Sequence, residues 1–119
     1  MRKFWRCAIL ILLLYSTSVS ALFGHAILLF AIPAAKQVVN GPDVPIRLRF
    51  NSRIDARRSR IMLVASDGAQ TALTITKQAS PDTLSAEAKE LKQGSYVLRW
   101  QVLANDGHIT RGEVPFQIQ

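Results

Sequence analysis

Cysteine, histidine and methionine are scarce in this 119-residue sequence, which has one Cys, two His and two Met. A single cysteine excludes an internal disulfide framework and any site built on several thiolates, such as an iron–sulfur cluster. Two histidines keep any imidazole-built site small. The six glycines are scattered, so there is no glycine-rich loop to cradle phosphates. No Gly-x-Ser-x-Gly elbow occurs, and with it goes the common frame for a serine nucleophile. So short a chain suits one domain and cannot hold a TIM barrel or a full dinucleotide-binding fold. It also offers little cleft for a pair of glycosidase carboxylates.

What is present begins with a basic and then apolar N-terminus. Arg2, Lys3 and Arg6 precede the run Ala8–Leu14, and the small, polar stretch Ser16–Ala21 follows. This order is that of a secretory signal peptide. An uncleaved anchor is the alternative, because no Lys, Arg, Asp or Glu occurs from Cys7 to Ala35. Against it, hydroxyls interrupt the run at residues 15–20, short of the roughly 20 apolar residues a spanning helix needs. Small-residue rules favour a cut after Ala21, whereas a cut after Gly24 would make His25 the first residue. Removing residues 1–24 leaves 95 residues, lowers the net charge from +7 to +4 and takes Cys7 away. A cysteine-free exported domain suits an oxidising compartment. A charge of +4 is too modest to argue nucleic-acid binding. The densest basic stretch, Arg53–Arg60, has no aromatics to stack on bases. It reads as a solvated loop or as a docking patch for an acidic partner or anionic lipid.

The rest of the chain reads as short strands. Ile46, Leu48 and Phe50 alternate with Arg47 and Arg49, the period of a half-buried strand. Ile61–Val64 is a short apolar run closed by the turn pair Asp67-Gly68, and residues 69–76 suit a returning strand. Thr83–Ala88 has a helical composition but is too short to assign. Tyr96, Leu98, Trp100 and Val102 share one face of the clearest strand, and Asp106-Gly107 marks a tight turn after it. Val114, Phe116 and Ile118 share a face of the last strand. The apolar run 26–32 is expected to be a strand buried on both sides. About seven strands in 95 residues predict an all-β, antiparallel β-sandwich.

The chemistry-bearing residues that remain are His25, Asp106 and His108. Asp106-Gly107-His108 puts a carboxylate and an imidazole on one tight turn, where they could chelate an ion; equally, His108 could be a plain surface side chain. If the chain is cut after Gly24, His25 offers a free α-amine and Nδ1 as a compact chelate. With His108 that makes three nitrogens, and Asp106 can add an oxygen. A nitrogen-rich set of this kind suits Cu(II), although Zn(II) accepts similar ligands.

These residues resemble the CopC-type copper-binding domains, including their YobA-like branch. The start of the pattern is His25-Ala26-Ile27-Leu28 with Pro33-Ala34, followed by Leu48-Arg49-Phe50-Asn51. The most specific part runs from Gly94 through Tyr96, Leu98, Trp100, Val102, Asp106-Gly107-His108 and Gly112 to Phe116. The resemblance implies a periplasmic, immunoglobulin-like Greek-key sandwich over residues 25–119 after a signal peptide at 1–24. It also implies one Cu(II) per chain, bound by His25, Asp106 and His108. Leu98 stands where the family has valine, and Ala31 where it has serine. Met62 is the only methionine after residue 24, so no Cu(I) methionine site is expected.

The leading expectation is an exported, non-enzymatic Cu(II) carrier that serves copper homeostasis or resistance. It would pass its ion to an inner-membrane copper transporter or a periplasmic copper protein, with no role for nucleic acid. The alternative is a metal-free interaction module that docks through edge strands or the Arg53–Arg60 loop. A redox enzyme with a histidine brace is a third reading, disfavoured by the small surface and the lack of an identifiable axial tyrosine.

Overall fold

The computed structural model describes residues 25–119. The expected leader, residues 1–24, lies outside the described residues. Eight strands follow one another: β1 (Leu28–Ile32), β2 (Gln37–Val39), β3 (Val44–Phe50), β4 (Arg60–Ala65), β5 (Gln70–Leu73), β6 (Thr83–Ala88), β7 (Gly94–Leu103) and β8 (Ile109–Ile118). They form two sheets, ordered β1-β3-β6 and β2-β8-β7-β4-β5. All pairings are antiparallel except β2 with β8. The all-β sandwich expected from the alternation is therefore observed.

Period-two patterning decides which side chains meet between the sheets. Ile46, Leu48, Phe50 and Leu84 come from the small sheet; Ile61, Leu98, Val102 and Phe116 come from the large one, and all are buried. Tyr96 stacks on Phe116 at 5.7 Å, and Phe50 meets Trp100 edge-on at 5.1 Å. The Tyr96 hydroxyl donates to the Lys92 carbonyl at 2.7 Å, an upstream bond of the kind that marks immunoglobulin-type sandwiches. Trp100 pairs across the ladder with Gly112. A Cβ at Gly112 would overlap the indole ring, so the glycine makes room for the largest side chain of the core.

Three segments differ from the sequence-based reading. Thr83–Ala88 is strand β6, with Leu84, Ala86 and Ala88 buried on one face. β2 has only three residues and docks parallel to β8, too short to leave a periodic signature. The apolar run 26–32 is not buried on both sides. β1 is an edge strand, and its register to β3 shifts between Leu28 and Phe30. Leu28 pairs with Phe50 and Phe30 with Arg49, so Leu29 is the extra residue of a bulge; Leu29 and Phe30 are 60% and 50% exposed.

The Trp100–Gly112 contact gives a stability prediction. Gly112→Ala should lower unfolding free energy by about 1–3 kcal/mol through overpacking. Combined with Trp100→Phe, which removes the overlapping ring edge, the two losses should be less than additive. Urea unfolding of the single and double variants checks this; full additivity would mean that the two sites do not touch.

Candidate metal centre

The β7–β8 hairpin carries two of the three candidate residues. The Ala104 N–H donates to the His108 carbonyl at 2.9 Å, and the Gly107 N–H donates to the Ala104 carbonyl at 2.9 Å. This closes a tight loop in which Gly107 takes φ +85°, a conformation that favours glycine. Asp106 then turns back on the loop. Its Oδ1 accepts from the His108 N–H at 2.9 Å, and its Oδ2 lies 3.0 Å from His108 Nδ1. The Asp106 side chain is 18% exposed and that of His108 54%.

These contacts set the electrostatics. The His108 backbone N–H holds the Asp106 carboxyl below the usual aspartate range, because a hydrogen bond to the charged form favours it. The His108 side chain acts in the same direction, with smaller help from the charge of His25 and partial opposition from desolvation. With Nδ1 facing Asp106, Nε2 is the ring nitrogen of His108 left for a ligand, the arrangement in which a carboxylate orients a metal-binding imidazole.

His25 reaches this turn from the other sheet. Ala26 is buried in the core. The Ile27 N–H donates to Asn51 Oδ1 at 2.8 Å, and the Asn51 N–H donates to the Ile27 carbonyl at 3.0 Å. Asn51 thus brackets Ile27 from both sides just after β3 ends. The His25 ring stands edge-on to His108, with centroids 5.3 Å apart. The fold therefore gathers His25, Asp106 and His108 at one end of the sandwich. Sequence reasoning quoted Asn51 in a motif without giving it a role; its work depends on a contact 24 residues away, which local pattern does not carry.

Among the described residues, no three His, Cys, Asp or Glu side chains converge closely enough to hold an ion by themselves. Asp106 is engaged with His108, which leaves the two imidazoles, edge-on to each other. An ion shared between them at metal–nitrogen distances of about 2 Å needs a further donor. A free α-amine on His25 would supply one, so the donor set fits a bound ion only where His25 is the first residue. The amine would be anchored through Ala26 and Asn51.

The Asp106 contacts give a pH prediction. A carboxylate whose pKa is depressed by folding contributes stability above its unfolded-state pKa, and that contribution fades as pH falls through the folded value. The His108 amide resonance should therefore titrate with a midpoint below that of an unperturbed aspartate, and Asp106→Asn should abolish the titration. A midpoint at or above the ordinary value would contradict the hydrogen bonds described.

Comparison with known proteins agrees with this architecture. Residues 28–119 match the CopC domain family; the matched span starts three residues after His25. CopC from Methylosinus trichosporium OB3b superposes with a TM-score of 0.72 at 34% identity, covering 80% of this chain and 94% of that one. PcoC, a methionine-rich copper resistance protein from Escherichia coli, gives 0.69 at 22% identity, covering 81% and 100%; at that identity it speaks for the fold. No curated protein matches the chain. The length of the family match, together with the identity to one solved member over most of both chains, makes this chain a member of the CopC family.

Proposed function

We propose that the chain is an exported, non-enzymatic copper carrier that holds one Cu(II) ion and passes it to a membrane or periplasmic partner. The observation that carries this reading is the meeting of His25 with the Asp106–His108 turn, edge-on at 5.3 Å. On this reading His25 supplies its α-amine and an imidazole nitrogen, and His108 supplies Nε2. Asp106 holds His108 in orientation and adds negative charge beside the ion. Nitrogen donors of this kind favour Cu(II) in the divalent affinity order. Family membership and the likeness to CopC support copper as the cargo.

The site would form when export removes residues 1–24, which frees the His25 amine in the periplasm. Every proposed donor must be deprotonated to bind, so affinity should fall as pH is lowered. No nucleophile or redox partner is required of the protein: its residues hold and release an ion.

Cu(II) titration against a competing chelator tests the reading. Protein that begins at His25 should bind one equivalent, and His108→Ala should weaken binding by about tenfold or more. One extra residue before His25 should weaken it as well, by converting the amine to an amide. Equal binding by all three forms would refute the site.

A further inference from the structure

We propose that the Arg53–Arg60 loop is a docking surface for an acidic protein, fixed beside the His108 turn so that the docked partner faces the candidate metal centre. The partner's role as recipient of the ion rests on the carrier reading above; the surface itself does not.

The first observation is how charge is distributed. Residues 25–119 carry a net +4, and residues 53–60 hold Arg53, Arg57, Arg58 and Arg60 against the single acid Asp55. Most of the domain's excess charge thus lies in this short stretch, which ends on the first residue of β4. All four arginines are exposed. Only Arg58 has an acidic neighbour there, with its Nε 3.8 Å from Asp55 Oδ2. Among the described residues, Arg53, Arg57 and Arg60 have no carboxylate within ion-pair distance. Elsewhere Arg99 pairs with Glu113 at 3.0 Å and Arg49 with Asp82 at 3.3 Å, while Arg47 and Arg111 are exposed and unpaired among the described residues but stand singly on strands rather than in a cluster.

The second observation is that hydrogen bonds pin the loop at several points. Asp55 caps a single 3-10 turn, Ala56–Arg58, by accepting from the Arg57 and Arg58 N–H groups. Ser59, which is buried, donates to the Asp55 carbonyl at 2.6 Å and accepts from the Leu103 N–H at 3.2 Å. The guanidinium groups therefore project from a fixed base, which reduces the ordering cost of binding.

The third observation is what the loop is fastened to. Ile54 bridges to Ala104. The Asp55 N–H donates to the Leu103 carbonyl at 2.9 Å, and the Asn105 N–H donates to the Arg53 carbonyl at 3.0 Å. Residues 103–105 lead directly into Asp106. A shallow groove of about 380 Å³ runs along this seam, with Arg53, Asp55 and Arg58 on one side and Asn105 and Gly107 on the other. A partner seated on the arginines is thus brought to the turn that carries His108.

Chemistry favours a protein over a lipid surface. Guanidinium forks match carboxylates in two-point contacts. The loop has no exposed large apolar side chain to enter a bilayer, since Ile54 is buried. A recipient of the ion must also offer donor side chains at the turn. A Cu(II) ion at the site would add positive charge near the loop, so an acidic partner should prefer the loaded form.

Fluorescence anisotropy of the purified chain with a labelled alternating Glu-Gly peptide tests this, beside sedimentation with phosphatidylglycerol vesicles. The combined change Arg53→Gln, Arg57→Gln, Arg58→Gln should weaken peptide binding roughly tenfold or more. The equal charge change Lys36→Gln, Lys89→Gln, Lys92→Gln, away from the turn, should have little effect. Copper titration of the arginine variant should match the parent protein. Equal loss in both charge variants, no peptide binding, or vesicle binding tighter than peptide binding would overturn the proposal. Peptide binding that depends on the arginines in a protein without copper affinity would sustain the surface and remove the carrier reading.

Discussion

The pairing of β7 with β8 is the constraint on which the rest of the molecule depends. Ten consecutive residue pairs run from Gly94–Ile118 to Leu103–Ile109 without a shift. That register puts Trp100 over Gly112 and brings Tyr96 onto Phe116, so it sets the aromatic part of the core. It also leaves only five residues, 104–108, to turn the chain. In so short a link, Asp106 and His108 fall on the same side of a closed loop. A slip of one residue would turn every core side chain of a strand to the solvent face and dismantle the turn with it. Core and candidate site thus share a single determinant.

The other contributions to the site come from sequence-distant segments that converge on this hairpin. The small sheet delivers His25 through the burial of Ala26 and the bracket made by Asn51. The β3–β4 connection is laced to residues 103–105, bracing the base of the turn. Polar side chains do the fastening: Asn51, Asp55 and Ser59 each satisfy backbone groups that would otherwise be left open at the strand ends. The end of the sandwich that carries the candidate ligands is therefore held by hydrogen bonds, while its middle is held by apolar packing.

How much was legible in the sequence follows from which interactions are local. Strands β3, β7 and β8 announce themselves, because one face is buried and one exposed, and period-two alternation records that directly. The Asp106-Gly107-His108 turn is legible for the same reason: its hydrogen bonds close within five residues. β6 was ambiguous because its alternation is written in Ala, Ser and Glu, which carry little strand preference of their own. β1 misled because apolar composition was read as burial, whereas a bulge and an edge position decide its exposure. Asn51 and Ser59 act through partners 24 and 44 residues away, and no local pattern encodes such a distance. His25 was found through its chemistry and a possible chain start, and its approach to His108 required the fold.

The bulge in β1 has a consequence for solubility. An edge strand with apolar side chains turned outward is a template on which another chain could add a strand. Leu29 and Phe30 offer such side chains, but the shift between Leu28 and Phe30 interrupts the regular spacing of donors and acceptors that an incoming strand must match. The same extra residue that exposes the two side chains spoils the edge as a seed for sheet growth. An edge that is hard to extend keeps the apolar side chains of β1 from becoming a point of association between copies.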